Sequence, residues 1–208
     1  MFQRMRFSTK FYLGSAVIVA STVAFMAIVL TIVVRGDLVD LGQLNLKSAT
    51  DNLVSTIEMQ HAITQEKVTS DLALFESQLL ADGPLMVRKN DVQKVDVVNQ
   101  LTRQKETVEM PGLFQYSLLG RKPMRDNNEV VDRVQQMAGG AATLFQVLPG
   151  KLVRIATNVR TADGQRAVGT YIPEDSPVYK AVMGGQTYSG RAFVVNDWYI
   201  TAYKPVRD

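Results

Sequence analysis

Apolar residues follow three successive patterns along this chain, and each predicts a different kind of element. The first is unbroken: residues 11–34 carry no charge and include Ala16-Val17-Ile18-Val19-Ala20 and Ala27-Ile28-Val29-Leu30. As a helix rising about 1.5 Å per residue, the run would cover about 36 Å, enough to cross a hydrocarbon core of about 30 Å with some tilt. The second pattern is periodic. Across residues 37–81 there is no proline, and the only glycine is Gly42. Leu46, Ala49, Leu53 and Ile57, then Val68, Leu72, Phe75 and Leu79, recur at spacings of three and four. This is the stripe of a long amphipathic helix continuous with the apolar run, and Gly83-Pro84 ends it.

After Pro84 the pattern breaks into short apolar runs separated by turns. Strands are expected at 92–101, 113–119, 144–148, 152–159, 188–195 and 198–206. Short helices are expected at 129–137, behind an Asn127/Asn128 cap, and at 176–183, where Ser176 caps, Pro177 opens and Gly184-Gly185 stops the helix. Two hairpins are signalled. Pro149-Gly150 turns between Val147 and Leu152, and Asn196-Asp197 reads as a two-residue turn that sets Val195 opposite Trp198. One face of the second hairpin then carries Val195, Phe193, Trp198 and Ile200, with Arg191 further along. The other face sets Tyr199, Thr201 and Tyr203 over the small residues Ala192 and Gly190, with Tyr188 nearby, and reads as a pocket wall or as tyrosines used for β-propensity alone.

Charge turns the apolar run into an oriented one. Arg4, Arg6 and Lys10 precede it, and no acidic residue occurs before Asp37. Without those three, the basic residues equal the 20 acidic ones, so the whole net charge of +3 lies in the N-terminal tail. The positive-inside rule then predicts a cytoplasmic tail at 1–10 and an extracytoplasmic remainder; Arg35, just past the run, opposes this only weakly because it can snorkel. A cleaved signal peptide fits less well, since its apolar region is about 7–15 residues long and ends at a small-x-small site. A basic patch on a folded domain, the footprint of a nucleic-acid binder, is missing.

Composition narrows the chemistry further. There is no cysteine, so disulfides, thiolate metal sites and cysteine nucleophiles are excluded. His61, the only histidine, lies on the amphipathic stripe, either as a pH-sensitive or ligand-facing polar break or as an ordinary histidine at a helix packing or dimer interface. A zinc site or a serine–histidine system would depend on it alone. Gly150-Lys151 lacks the upstream glycine spacing of a phosphate loop. Asp126, Glu129 and Asp132 read as capping and a solvated helix face rather than a metal site. No enzyme activity, cofactor or metal is expected.

Leu144-Phe145-Gln146, Arg154-Ile155-Ala156-Thr157-Asn158-Val159 and Asp163-Gly164-Gln165-Arg166-Ala167-Val168-Gly169-Thr170 resemble an extracytoplasmic Cache sensor domain. Tyr188-Ser189-Gly190-Arg191-Ala192-Phe193 and Trp198-Tyr199-Ile200-Thr201-Ala202-Tyr203-Lys204-Pro205 continue the resemblance, which is nearest to the fused double-Cache subtype of bacterial methyl-accepting chemotaxis proteins. It covers about residues 37–208 and is densest in the C-terminal third.

The resemblance implies an α+β fold, with a PAS-like antiparallel sheet beside a long helix and a pocket for a small organic ligand, a carboxylate or an amino acid. It implies Arg154, Thr157, Tyr188, Arg191 and Tyr203 as ligand-binding residues, with Arg166 a weaker candidate near the Asp163-Gly164 turn. An arginine would supply bidentate, charge-assisted bonds to a carboxylate; alternatively, Arg154 or Arg191 pairs with Asp163, Asp175 or Asp197. The hairpin register sets Arg191 on the face opposite Tyr188 and Tyr203.

The resemblance also implies a homodimeric receptor in a bacterial inner membrane, with a periplasmic sensor domain over residues 36–208. Such domains continue into a last strand, a second membrane helix and an output module, so this chain is expected to be the N-terminal part of a longer receptor. Chemotaxis is the expected output. The sensor region of a histidine kinase or diguanylate cyclase, or a membrane-anchored interaction domain without a ligand, is the alternative.

Overall fold

A single helix, α1 (Phe7–Ala81), opens the computed structural model, which describes residues 7–118 and 120–206. Arg4 and Arg6 of the basic tail, Leu119 of one expected strand and the terminal Asp208 lie outside the described residues. The chain divides after Met59 into two units, and α1 contributes to both.

The first unit is helix throughout its described part. From Tyr12 onward it contains a helix long and apolar enough to cross a membrane, with a mean hydropathy of 2.8 over its most apolar window. The hydroxyls inside the apolar run donate back to their own helix: Thr22 Oγ1 to the Ile18 carbonyl at 3.1 Å and Thr31 Oγ1 to that of Ala27 at 2.7 Å. Ser15 and Ser21 do the same, to the carbonyls of Tyr12 at 3.0 Å and Ile18 at 2.8 Å, which spares these hydroxyls the need for water. Further along, Leu46, Leu53 and Ile57 form the expected stripe and are 71%, 64% and 67% exposed.

The second unit begins with the last turns of α1, where Leu72 and Phe75 are half-buried and Leu79 is buried. There follow β1 (Leu85–Asn99), β2 (Lys105–Ser117), β3 (Gly120–Pro123), α2 (Glu129–Ala138), β4 (Thr143–Leu148), β5 (Lys151–Thr157), β6 (Thr170–Pro173), α3 (Pro177–Met183), β7 (Tyr188–Val194) and β8 (Asp197–Tyr203). The first six strands form one sheet in the order β3-β2-β1-β6-β5-β4. The expectation of an antiparallel sheet needs one correction: β1 and β6 run parallel, through Val98↔Thr170 and Asn99↔Tyr171. β7 and β8 form a separate two-stranded ribbon.

β5 explains the layering. Every residue from Leu152 to Thr157 is buried, as in a strand covered on both faces. Val153 and Ile155 join the main core with Leu79, Val97, Val131 and Leu144. Leu152 faces a second cluster with Ile172, Val178 and Ala192, against which Phe145, Tyr188 and Tyr203 pack. The α1–β1 junction is fixed by the buried Gln115, whose Nε2 donates to the carbonyls of Leu79 at 2.6 Å and Gly83 at 3.1 Å, satisfying acceptors at the end of the helix. Gly83 stands at φ +121° there.

The short helices form where their capping residues predict. Ser176 Oγ accepts from the Val178 amide at 3.2 Å, and Pro177 opens α3. Before α2, the Glu129 amide is bonded by Asn127 Oδ1 at 3.2 Å, while Asn128 turns its own side chain to other partners. The Pro149-Gly150 hairpin has the expected register, Val147↔Leu152. The β7–β8 hairpin does not. It pairs Phe193↔Trp198 and Val194↔Asp197, so the turn is at Val195 and Asn196, two residues off the expected pairing. Val195 stands at φ 58° and is fully buried, its chain reversed by an Asn196 amide bond to the Val194 carbonyl at 2.6 Å. Arg103, from the β1–β2 turn, donates to the Val195 carbonyl at 2.5 Å and holds this tight turn in place.

Candidate functional site

Arg154 sits at the centre of β5 and is only 1% exposed. Its guanidinium is held by neutral groups alone. One terminal nitrogen donates to Thr170 Oγ1 and the other to Gln100 Oε1 at 3.4 Å, while Cζ stands over the Phe145 ring, 4.8 Å from its centroid. The supports are themselves fixed, since Thr170 Oγ1 donates to the Ala167 carbonyl at 2.7 Å and Gln100 Nε2 to that of Phe193 at 2.9 Å. The ion pairs among the described residues include neither Arg154 nor Arg191, so the proposed pairing with Asp163, Asp175 or Asp197 does not occur there. Arg154 Nε is buried without a hydrogen-bond partner.

A buried cation without a counter-ion is an expensive arrangement, costing several kcal/mol in an apolar surrounding. Burial pulls the Arg154 pKa down to about 10, with the nearby Tyr203 phenol opposing that fall. The guanidinium therefore still carries its charge at neutral pH. Tyr203 responds in the converse way: burial raises the phenol's pKa, and Arg154 counters part of the rise.

Arg154 and Tyr203 both line a cavity of about 1100 Å³ in the second unit, between the last turns of α1, the β4 edge of the sheet and the β7–β8 ribbon. Next to the guanidinium its wall is aromatic and aliphatic. Phe145 and Tyr203 stand 5.9 Å apart at their centroids, Tyr188 backs Tyr203 at 6.1 Å, and Leu152, Val182 and Met183 continue the lining. The other charged groups of the lining are engaged. Lys67 pairs with Asp71 and Lys204 with Glu76, each at 2.7 Å, and Arg160 donates to the Gly164 carbonyl at 2.6 Å.

The remaining residues implied by the resemblance stand elsewhere. Thr157 is fully buried and built into the framework: its Oγ1 shares a 2.7 Å bond with Thr143 Oγ1, and its amide donates to Asn128 Oδ1 at 2.9 Å. Tyr188 lies one layer behind the wall, its hydroxyl donating to the Arg191 carbonyl at 2.7 Å. Arg191 is exposed and stacks over Trp198 at 5.6 Å, on the ribbon face opposite Tyr188 and Tyr203. Arg166 grips Asp132 with both terminal nitrogens, at 2.8 and 2.9 Å, and fastens the segment after β5 to α2. His61 is exposed on α1.

Asp126, Glu129 and Asp132 are paired with Arg125, Lys122 and Arg166, and the described residues contain no cluster that could hold a metal ion. Sequence reasoning missed Phe145, Gln100 and Thr170. Phe145 and Thr170 lie inside the resembling stretches and could have been found there. Gln100 ends an apolar strand, and nothing local marks it.

The family model of the Cache 3/Cache 2 fusion domain matches residues 34–208. No curated protein and no solved structure matches the chain.

Proposed function

The chain belongs to the Cache 3/Cache 2 fusion family, whose domains sense small molecules outside the cell, and from that premise we propose that it binds a small organic anion through Arg154 and passes the event to a membrane helix. The observation that carries this reading is the buried guanidinium on the cavity wall, with neutral partners only and an unpartnered Nε. A carboxylate would supply the missing charge and the missing acceptor together. The filled-core alternative, an anchored interaction domain without a ligand, is disfavoured by the size of the cavity.

The helix that carries the apolar run also furnishes cavity-lining residues from Lys67 to Leu79, so one element serves both the membrane and the site. A ligand that binds one arrangement of α1 better than another would shift its population, and only by that difference in affinity. The basic tail supports a cytoplasmic N-terminus and an extracytoplasmic domain over residues 36–208. Leu46, Leu53 and Ile57, exposed in a single chain, support pairing with a second copy. The resemblance to chemotaxis receptors favours a chemotactic output.

The test is thermal unfolding of the full chain in detergent with a panel of organic anions, beside the Arg154→Met variant. A ligand at 100 times its Kd adds about 2.7 kcal/mol of stability. At least one carboxylate should raise the melting temperature of the parent and leave the variant unmoved. Failure of every anion, or equal stabilisation of both proteins, would sink the reading.

A further inference from the structure

We infer that the ligand is a monocarboxylate with an apolar body, not an amino acid and not a dicarboxylate. This rests on the reading that an anion binds at Arg154, and it deepens that reading by accounting for charges around the whole cavity. An amino acid's ammonium group is met most strongly by a free carboxylate. The lining offers Asp71 and Glu76, and each already holds a lysine at 2.7 Å. A dicarboxylate needs a second cation. Lys67 and Lys204 are those same lysines, and Arg160 is exposed and committed to a backbone carbonyl. One charge is left over, and it is Arg154.

Apart from Thr170 and Gln100, what flanks that charge is apolar. The Phe145 ring lies under the guanidinium, Tyr203 tilts against Phe145 at 52°, and both rings, with Val182, pack against the buried cluster that contains Leu152. A carboxylate that reaches the guanidinium from the cavity would lie against this wall. The cavity's 1100 Å³ lies just above the range of pockets that enclose drug-sized molecules, about 300–1000 Å³, so the smallest acids would leave most of it unfilled. Each methylene set against the wall adds roughly fourfold in affinity, which is how a body-bearing acid outcompetes a short one.

The experiment is calorimetric titration of the full chain in lipid nanodiscs, with empty nanodiscs as the blank. The probes are phenylacetate, propanoate, succinate, phenylalanine and phenylacetamide. Phenylacetate should bind at least tenfold more tightly than propanoate, succinate or phenylalanine, and the neutral amide should give no binding heat. If an acid binds but propanoate, succinate or phenylalanine equals or exceeds phenylacetate, the apolar-body inference is overturned while the anion reading stands. If no acid binds, or the amide binds as well as phenylacetate, the anion reading itself is overturned and the inference with it.

Discussion

A guanidinium that is 1% exposed and faces only neutral acceptors is the residue on which the account turns. Replacing a buried, unpaired charge by an apolar side chain of similar length removes a desolvation cost of several kcal/mol. Arg154→Met should therefore melt no lower than the parent in the absence of ligand, yet lose carboxylate binding at least 100-fold in a direct titration. A large loss of stability without ligand would mean that the arginine is structural. How legible was this residue? Its type and position were carried by the resembling stretch. That Thr157, the fourth of the six residues in the same motif, serves the framework instead follows from strand alternation and the Thr143 bond, which depend on tertiary pairing. The neutral acceptor at one of the Arg154 terminal nitrogens comes from Gln100, 54 positions away in sequence, and no local pattern reports such a contact.

At the scale of elements, the periodicities set out the strands and helices well where one face is buried and poorly where neither is. β4, β5, α2 and α3 begin and end within two residues of their expected limits. The first half of β1, with Met86, Val87 and Val92 exposed, and the short β3 give no alternating signal. The β7–β8 faces were read correctly despite the wrong register, because a two-residue slip preserves which side each residue faces. The turn itself was missed because a β-branched valine at positive φ is a choice that turn propensities never make.

Two predictions belong at this level. Gly83→Ala would set a Cβ 1.9 Å from the Tyr116 carbonyl oxygen at φ +121°, so the α1–β1 junction must shift. It should cost more than about 2 kcal/mol in denaturant unfolding. Glu106 of β2 accepts from Lys151 of β5 and Tyr171 of β6, and those bonds hold its carboxyl below the ordinary value of 4.5. A lowered folded pKa gives stability that is present above the unfolded pKa and is lost as pH falls through the folded one. Glu106→Gln should thus flatten the decline of melting temperature below about pH 4.5 and change little in slope at neutral pH.

For the molecule as a whole, the apolar run and the site share one helix, and the account needs that helix to reside in a membrane. Val23→Arg, near the middle of the run, should oppose insertion by about 2.5–3.5 kcal/mol and raise the fraction released from membranes by alkaline extraction. Val33→Arg, near its end, should be nearly silent because a long side chain there can snorkel. The most direct test of the central claim is NMR of the full chain carrying 15Nε-labelled arginine in nanodiscs, with the Arg154 Nε–H resonance assigned by its loss in Arg154→Met. Titration with phenylacetate should move that resonance downfield and saturate at the concentration that saturates the binding heat. An unmoved Arg154 resonance while the heat saturates would place the ligand elsewhere and contradict the account.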